Sequence, residues 1–216
     1  PLTLPTPTNP TPPSNPPFHN DALTIRSRVF ITEQNCTPEG EIDSDEPRSW
    51  QWVIYADDKP TEKPLPVAVI RLVPPPHAPH SPHHTETATD NTNENTKTEG
   101  KWDTEHEPYL KLTRVAVLKE WRGYGLGRKL VDEALGWAGR NKGEIMGAYR
   151  RVVGAEGGGG MEGGAGTEWK GLVLVHAQTQ VEGMYERVGF KTDEGLGRWD
   201  EEGIEHLGMW RRISVS

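Results

Sequence analysis

The chain holds a single cysteine, Cys36, so no internal disulfide can form and nothing ties the fold to an oxidising compartment. Cys36 has no neighbours that would make it a nucleophile, and it reads as a small inert thiol. Apolar residues are scarce as well: they make up 33% of 216 positions, and mean hydropathy is -0.73. Either the core is thin or part of the chain stays outside it. No apolar run approaches a membrane span, and no basic segment followed by an apolar one opens the chain. The proline at position 1 implies processing or trimming. Basic residues are outnumbered, 24 Lys and Arg against 32 Asp and Glu, for a formal charge of -8. A nucleic-acid binder needs a basic face to displace counterions, and that class is excluded. An acidic surface suits a cationic substrate, and it also keeps a protein in solution. The expectation is a soluble cytoplasmic protein, a nuclear location left open, that binds neither nucleic acid nor membrane.

What is abundant accounts for the scarcity. Residues 1–17 are proline, threonine and asparagine with two leucines, and read as an extended polyproline-like tail. Residues 74–106 run through prolines, histidines, threonines and acids, and residues 141–167 are dominated by glycine. Neither stretch promises enough apolar area to offset chain entropy. Both are expected to be low-complexity surface insertions in one domain spanning residues 18–216. His77, His80, His83 and His84 fall in the first insertion; incidental composition accounts for them, and no metal is expected.

The remainder alternates helix and strand signals. Asp21 is placed to cap a short helix with Ile25 and Val29 on one face. Residues 50–56 and 66–73 read as a hairpin, and residues 109–117 as a third strand. Trp50 and Trp52 share a strand face and are expected in the core. Residues 126–138 form an amphipathic helix with Leu126, Leu130, Ala134 and Ala138 on its apolar face. Residues 172–175 are a continuous apolar run, as in a strand covered on both faces. Val181, Met184, Tyr185 and Val188 mark another helix, stopped by Gly189, and Leu207, Met209 and Ile213 a last strand. The fold class is therefore α/β, with strands of mixed direction.

One loop carries chemistry. Arg122-Gly123-Tyr124-Gly125-Leu126-Gly127 stands between a strand and an amphipathic helix. Glycines permit close backbone approach, and a helix start offers N–H groups and a positive dipole end, which together suit a phosphate. A Walker loop is excluded, since Lys129 is followed by Leu130, and a dinucleotide fingerprint from Gly123 fails at Arg128. The strand before the loop adds a clue. Leu110 and Leu112 share one parity, Val115 and Val117 the other, which requires an extra residue near Thr113-Arg114: a β-bulge.

With residues 114–117 and the loop quoted, the chain resembles the GNAT superfamily of N-acetyltransferases. Its acetyl-CoA motif, Gln/Arg-x-x-Gly-x-Gly/Ala, is met by Arg122, Gly125 and Gly127. Residues 185–190 are similar to the superfamily's closing helix and strand. Residues 26–34, 176–178 and 202–209 resemble its ElaA-type branch. The resemblance implies a single domain with a mixed, mostly antiparallel central sheet splayed at the bulge and flanked by helices. Two positions depart from relatives: Gln178 stands where many carry asparagine, and Lys111 where histone-modifying members place a glutamate base.

The resemblance also implies roles. Acetyl-CoA is the expected co-substrate, held by Val115, Ala116, Val117, Arg122, Gly123, Tyr124, Gly125, Leu126, Gly127 and Arg128, with Gln178 and Tyr185; the N–H of Val117 would also stabilise the oxyanion. An amine then attacks the thioester directly, with no acyl-enzyme. Tyr185 is the candidate acid for the departing thiolate, against a purely packing role on its helix face. The base is open between Glu33, for which partial desolvation would raise the pKa, His176 at the end of a buried strand and His206, expected in the final turn; either histidine equally reads as a hydrogen-bonded structural residue. Glu33, Asp43, Asp45 and His206 are candidate substrate contacts, the two aspartates belonging to the run Glu39, Glu41, Asp43, Asp45 and Glu46, which equally reads as a solvated loop. The acceptor is expected to be a small amine, with an amino sugar such as glucosamine one instance. A protein or peptide acceptor and a non-catalytic acyl-CoA sensor are the rival readings, and a homodimer is left open.

Overall fold

Proline-rich flanks, apolar alternation and one amphipathic helix dictate most of the elements in the computed structural model, which describes residues 2–6, 9, 11–57, 63–79, 102–104, 106–155 and 168–216. In chain order they are α1 (Pro17–Arg26), continued by a π-helical segment (Ser27–Glu33), β1 (Trp50–Ala56), β2 (Leu65–Val73), β3 (Leu110–Val117), α2 (Leu126–Arg140), α3 (Lys142–Ala155), β4 (Leu172–Gln178), α4 (Glu182–Arg187), β5 (Lys191–Thr192), β6 (Arg198–Glu201) and β7 (Ile204–Arg212). The class is α/β, as expected. No helix among the described residues is long and apolar enough to cross a membrane. The chain falls into two compact units: Pro1–Val73 with Lys111–Arg140, and Pro74–Leu110 with Asn141–Ser216.

In the first unit β1 and β2 form the expected antiparallel hairpin, and β2 pairs antiparallel with β3. Ala22, Ile25 and Val29 bury one face of α1 and its π-helical extension against Val69, Ala116 and Leu118. α2 buries Leu130, Val131, Ala134, Leu135 and Ala138, the stripe its 3.6-residue period requires. Trp137 of α2 meets both tryptophans of β1, with ring centroids 4.7 Å from Trp50 and 5.5 Å from Trp52. These aromatics pack on one another, as their strand spacing implied.

Two expectations for this unit are corrected. Asp21 does not cap α1. The helix starts four residues earlier, with Pro17 in the first turn, where a missing N–H costs nothing; Asp21 instead accepts from the Tyr55 hydroxyl at 2.8 Å. The N-terminal stretch is not simply extended. Thr3 N–H donates to Asn15 Oδ1 at 2.8 Å, and Asn15 Nδ2 donates to the Thr3 carbonyl at 2.7 Å. One buried amide thus supplies both partners to a backbone whose proline neighbours have no N–H to offer.

In the second unit β7 pairs antiparallel with β4, β5 and β6. α4 ends as expected. Gly189 takes φ 87°, its N–H bonds the Glu186 carbonyl at 2.9 Å, and Phe190 N–H bonds that of Tyr185 at 3.0 Å. This is a Schellman closure, which needs the left-handed residue that glycine supplies.

The insertion reading needs correction here too. Residues 142–155, taken as unable to pack, form α3 with Ile145, Met146, Ala148 and Tyr149 buried. Their helical spacing outweighs the low propensity of Gly143 and Gly147. Residues 156–167 lie outside the described residues. In residues 74–106, His77 is buried: its Nε2 donates to the Tyr109 carbonyl at 3.1 Å, and the two rings stack at 4.5 Å. His80, His83 and His84 lie outside the described residues.

Candidate functional site

The bulge is present. Val69 pairs with Ala116 but Arg71 with Thr113, so β3 carries one more residue than β2 across that interval. Arg114 sits there at φ 51°, in the left-handed region that a non-glycine residue occupies only under constraint. Beyond it, Leu118 N–H bonds the Val67 carbonyl at 3.0 Å. Antiparallel alternation then makes Val117–Ala68 a non-hydrogen-bonded pair, so the N–H and C=O of Val117 point away from β2.

After the turn Lys119–Trp121, Gly123 and Gly125 take φ of 87° and 74°. A Cβ built on either meets nothing within 4 Å, so dihedral and not crowding demands glycine, and the space beside them is open. Lys129 N–H closes the first helical bond onto the Gly125 carbonyl at 3.0 Å. The N–H groups of Leu126, Gly127 and Arg128 precede that bond and have no acceptor within the helix. No acid stands in the first turn of α2, which instead carries Arg128 and Lys129. The dipole end is thus left unneutralised, and these residues fit a diphosphate. Tyr124 is 74% exposed on the same loop.

Glu33 and Arg122 are brought together. Arg122 Nη1 and Nη2 donate to the two Glu33 oxygens at 2.6 and 2.8 Å, and Nε donates to the Val117 carbonyl at 3.0 Å. The raised pKa expected for Glu33 is corrected: the Arg122 hydrogen bond and charge outweigh a slight burial and hold the carboxyl below its ordinary value.

The acidic run is neither a solvated loop nor a row of free carboxylates. Glu41 and Glu46 are buried, and Arg26 and Arg71 with them. Arg26 Nη1 donates to both Glu46 oxygens at 2.9 and 3.0 Å, and its Nε pairs with Glu41. Arg71 donates to Glu46 at 2.8 Å and, through two nitrogens, to Asp43 at 2.8 and 2.6 Å. Arg114 reaches the Gly40 carbonyl at 2.8 Å and Glu41 at 3.2 Å. Three arginines thus face three carboxylates, which fixes the bulge residue in its strained dihedral. Asp45 pairs with Arg48 at 2.7 Å. Asp43 and Asp45, read as substrate contacts, are therefore engaged internally. Sequence reasoning missed this cluster, although one signal was available: Arg71 stands inside the apolar run Val67–Val73, and a buried arginine requires partners.

Burial alone would raise the pKa of Glu46, but the His19 hydrogen bond and the Arg26 and Arg71 charges outweigh it and set it far below 4.5. A depressed folded pKa contributes stability that is fully present above the unfolded value and is lost as pH falls below it. Stability is therefore expected to decline steadily below about pH 4.5. Glu46→Gln is expected to cost about 3 kcal/mol at neutral pH and to flatten that acid limb, by leaving two arginines short of a buried partner. Urea unfolding across pH checks both; a variant as stable as wild type would refute the account.

In the second unit two predicted residues, His176 and His206, meet around a residue the sequence reading passed over. Trp199 lies edge-to-face with His176, centroids 4.8 Å apart, and stacks with His206 at 6.3 Å. His206 is a β7 residue and not in a turn; its Nδ1 donates to the Ile204 carbonyl at 2.8 Å. A tryptophan in the polar strand Arg198–Glu201 was the available signal. Gln178 ends β4 and accepts from Gln180 Nε2 at 2.8 Å. Tyr185 is buried in α4, edge-on to Phe190 at 5.6 Å, and burial pushes its phenol pKa well up.

Comparison with known proteins agrees with this geometry. A family model described as acetyltransferase (GNAT) domain matches residues 92–192. A Lactobacillus plantarum structure assigned as an N-acetyltransferase superposes with TM-score 0.54 at 20% identity, covering 92% of each chain. Escherichia coli ElaA superposes with TM-score 0.51 at 19% identity, covering 92% of this chain and 93% of its own. At such identities the structures speak for the fold, and the family model speaks for the sequence. Loop, bulge, fold and family model agree: residues 92–192 match the GNAT acetyltransferase domain, the fold is the one these two structures share, and the chain resembles the GNAT superfamily and its ElaA-type branch.

Proposed function

We propose that the protein moves an acetyl group from acetyl-CoA to a small primary amine, by direct attack of the amine. The observation that carries this reading is the anion nest: two left-handed glycines leading into a helix start with two cations and no acid. The bound co-substrate supplies an activated thioester; everything else falls to the chain. The backbone of Val115, Ala116 and Val117 and of residues 122–128 holds it, with Gln178 at the end of β4. The N–H of Val117 is the donor proposed for charge developing on the acyl oxygen. Tyr185 gives its proton to the departing sulfur, a task suited to a phenol that burial keeps protonated. His176 takes the proton of the ammonium, since the Glu33 carboxylate is committed to Arg122. Trp199, with His176 edge-on and His206 stacked, offers an apolar plate beside hydrogen-bonding nitrogens, which suits a hydroxylated ring.

Thiol release from acetyl-CoA, measured over amino sugars, polyamines, amino acids and short peptides, tests the reading. Turnover with a small amine is expected, glucosamine being the first to try. Turnover with peptides alone would move the acceptor to the protein class. Cofactor binding with no turnover anywhere would make the protein an acyl-CoA sensor.

A further inference from the structure

Two points on one helical stretch grip the turn that enters the glycine loop. Arg28 Nη2 donates to Glu120 at 2.9 Å, and Glu33 takes both Arg122 terminal nitrogens. Between them, Val29 belongs to the core cluster on which Phe30 and Trp121 pack. The stretch is π-helical: Gln34 N–H bonds the Val29 carbonyl, five residues back, at 3.0 Å. Such turns are rare and concentrate where a helix must aim a side chain for a purpose. Here the residue at its end is Glu33.

Arg122 is the node. Its third nitrogen holds the carbonyl of Val117, whose N–H points the same way, away from β2. One guanidinium thus ties together the end of β3, the start of the loop and the end of the π-helical segment. Thermodynamic stability does not explain such an arrangement, because solvent screens pairs this exposed and leaves them little net contribution. What a two-pronged arginine–carboxylate pair supplies is orientation.

We infer that Glu33 is a positioning residue for the cofactor loop: it holds Arg122, and through Arg122 the backbone of Val117 and of the glycine loop, and it takes no proton from the substrate. The inference rests on the reading of that loop as a phosphate site. Base chemistry would need a carboxylate of raised proton affinity, and Arg122 imposes the opposite.

The experiment compares wild type, Glu33→Gln, Arg122→Ala and the double variant by calorimetric titration with acetyl-CoA, and by kcat and KM across the pH range. Glu33→Gln is expected to weaken acetyl-CoA binding about 5- to 10-fold, to leave kcat within about three-fold, and to leave the acid limb of the kcat profile in place. The double variant is expected to bind no more weakly than Arg122→Ala, because both substitutions break one linkage. A fall in kcat beyond about 100-fold with loss of that limb would make Glu33 the base and overturn the inference. Unchanged affinity in Glu33→Gln, or additive losses in the double variant, would overturn it as well. Wild-type protein that fails to bind acetyl-CoA would overturn the phosphate-site reading itself, a result separate from any difference between variants.

Discussion

Tyr185→Phe is expected to lower kcat by about 10²- to 10⁴-fold while acetyl-CoA affinity and thermal unfolding change little, the usual worth of a positioned acid. The substitution deletes one oxygen from a residue 3% exposed and keeps the edge-on contact with Phe190. Burial raises the proton affinity of the phenol, so the phenol is protonated, and its O–H available to donate, when the leaving thiolate develops. A packing role makes the opposite forecast: kcat within a few-fold, with any effect confined to stability. Steady-state rate and calorimetric affinity on one preparation separate the two. An unchanged rate would remove Tyr185 from the chemistry and leave water as the acid.

Gly125→Glu is expected to abolish acetyl-CoA binding altogether. At φ 74° any L-residue carries a cost of about 1–2 kcal/mol, but the space beside the site is open, so the variant should fold. Its carboxylate then lies at the first turn of α2, where the dipole and two cations attract an anion. Gly125→Ala has the strain without the charge and is expected to bind more weakly than wild type, yet measurably. For wild type, acetyl-CoA at about 100 times Kd should add about 2.7 kcal/mol, several degrees in Tm. Gly125→Glu should show no such shift. Wild-type affinity in that variant would place the phosphates elsewhere.

Much of this site was legible in the sequence, and each legible part depends on a local pattern. The bulge follows from a parity change between Leu112 and Val115, since a strand's alternation is a property of neighbours two apart. The loop follows from glycine spacing before an apolar stripe, and the end of α4 from Gly189 after Val188. α3 was missed although its buried positions have helical spacing, because its glycines were grouped with those of residues 156–167.

The partners of charged residues were not legible. Glu33 and Arg122 stand 89 residues apart, and Arg71 and Asp43 stand 28 apart. Burial leaves a periodic trace along the chain, because a face is either covered or not. An ion pair leaves none, because a carboxylate is compatible with any cation that the strand register and the helix docking deliver. The sequence by itself determined a glycine loop leading into a helix start, beside a bulged strand. Only the tertiary structure decided that the acids nearby face arginines and not solvent, since which long side chains meet depends on contacts closed across tens of residues.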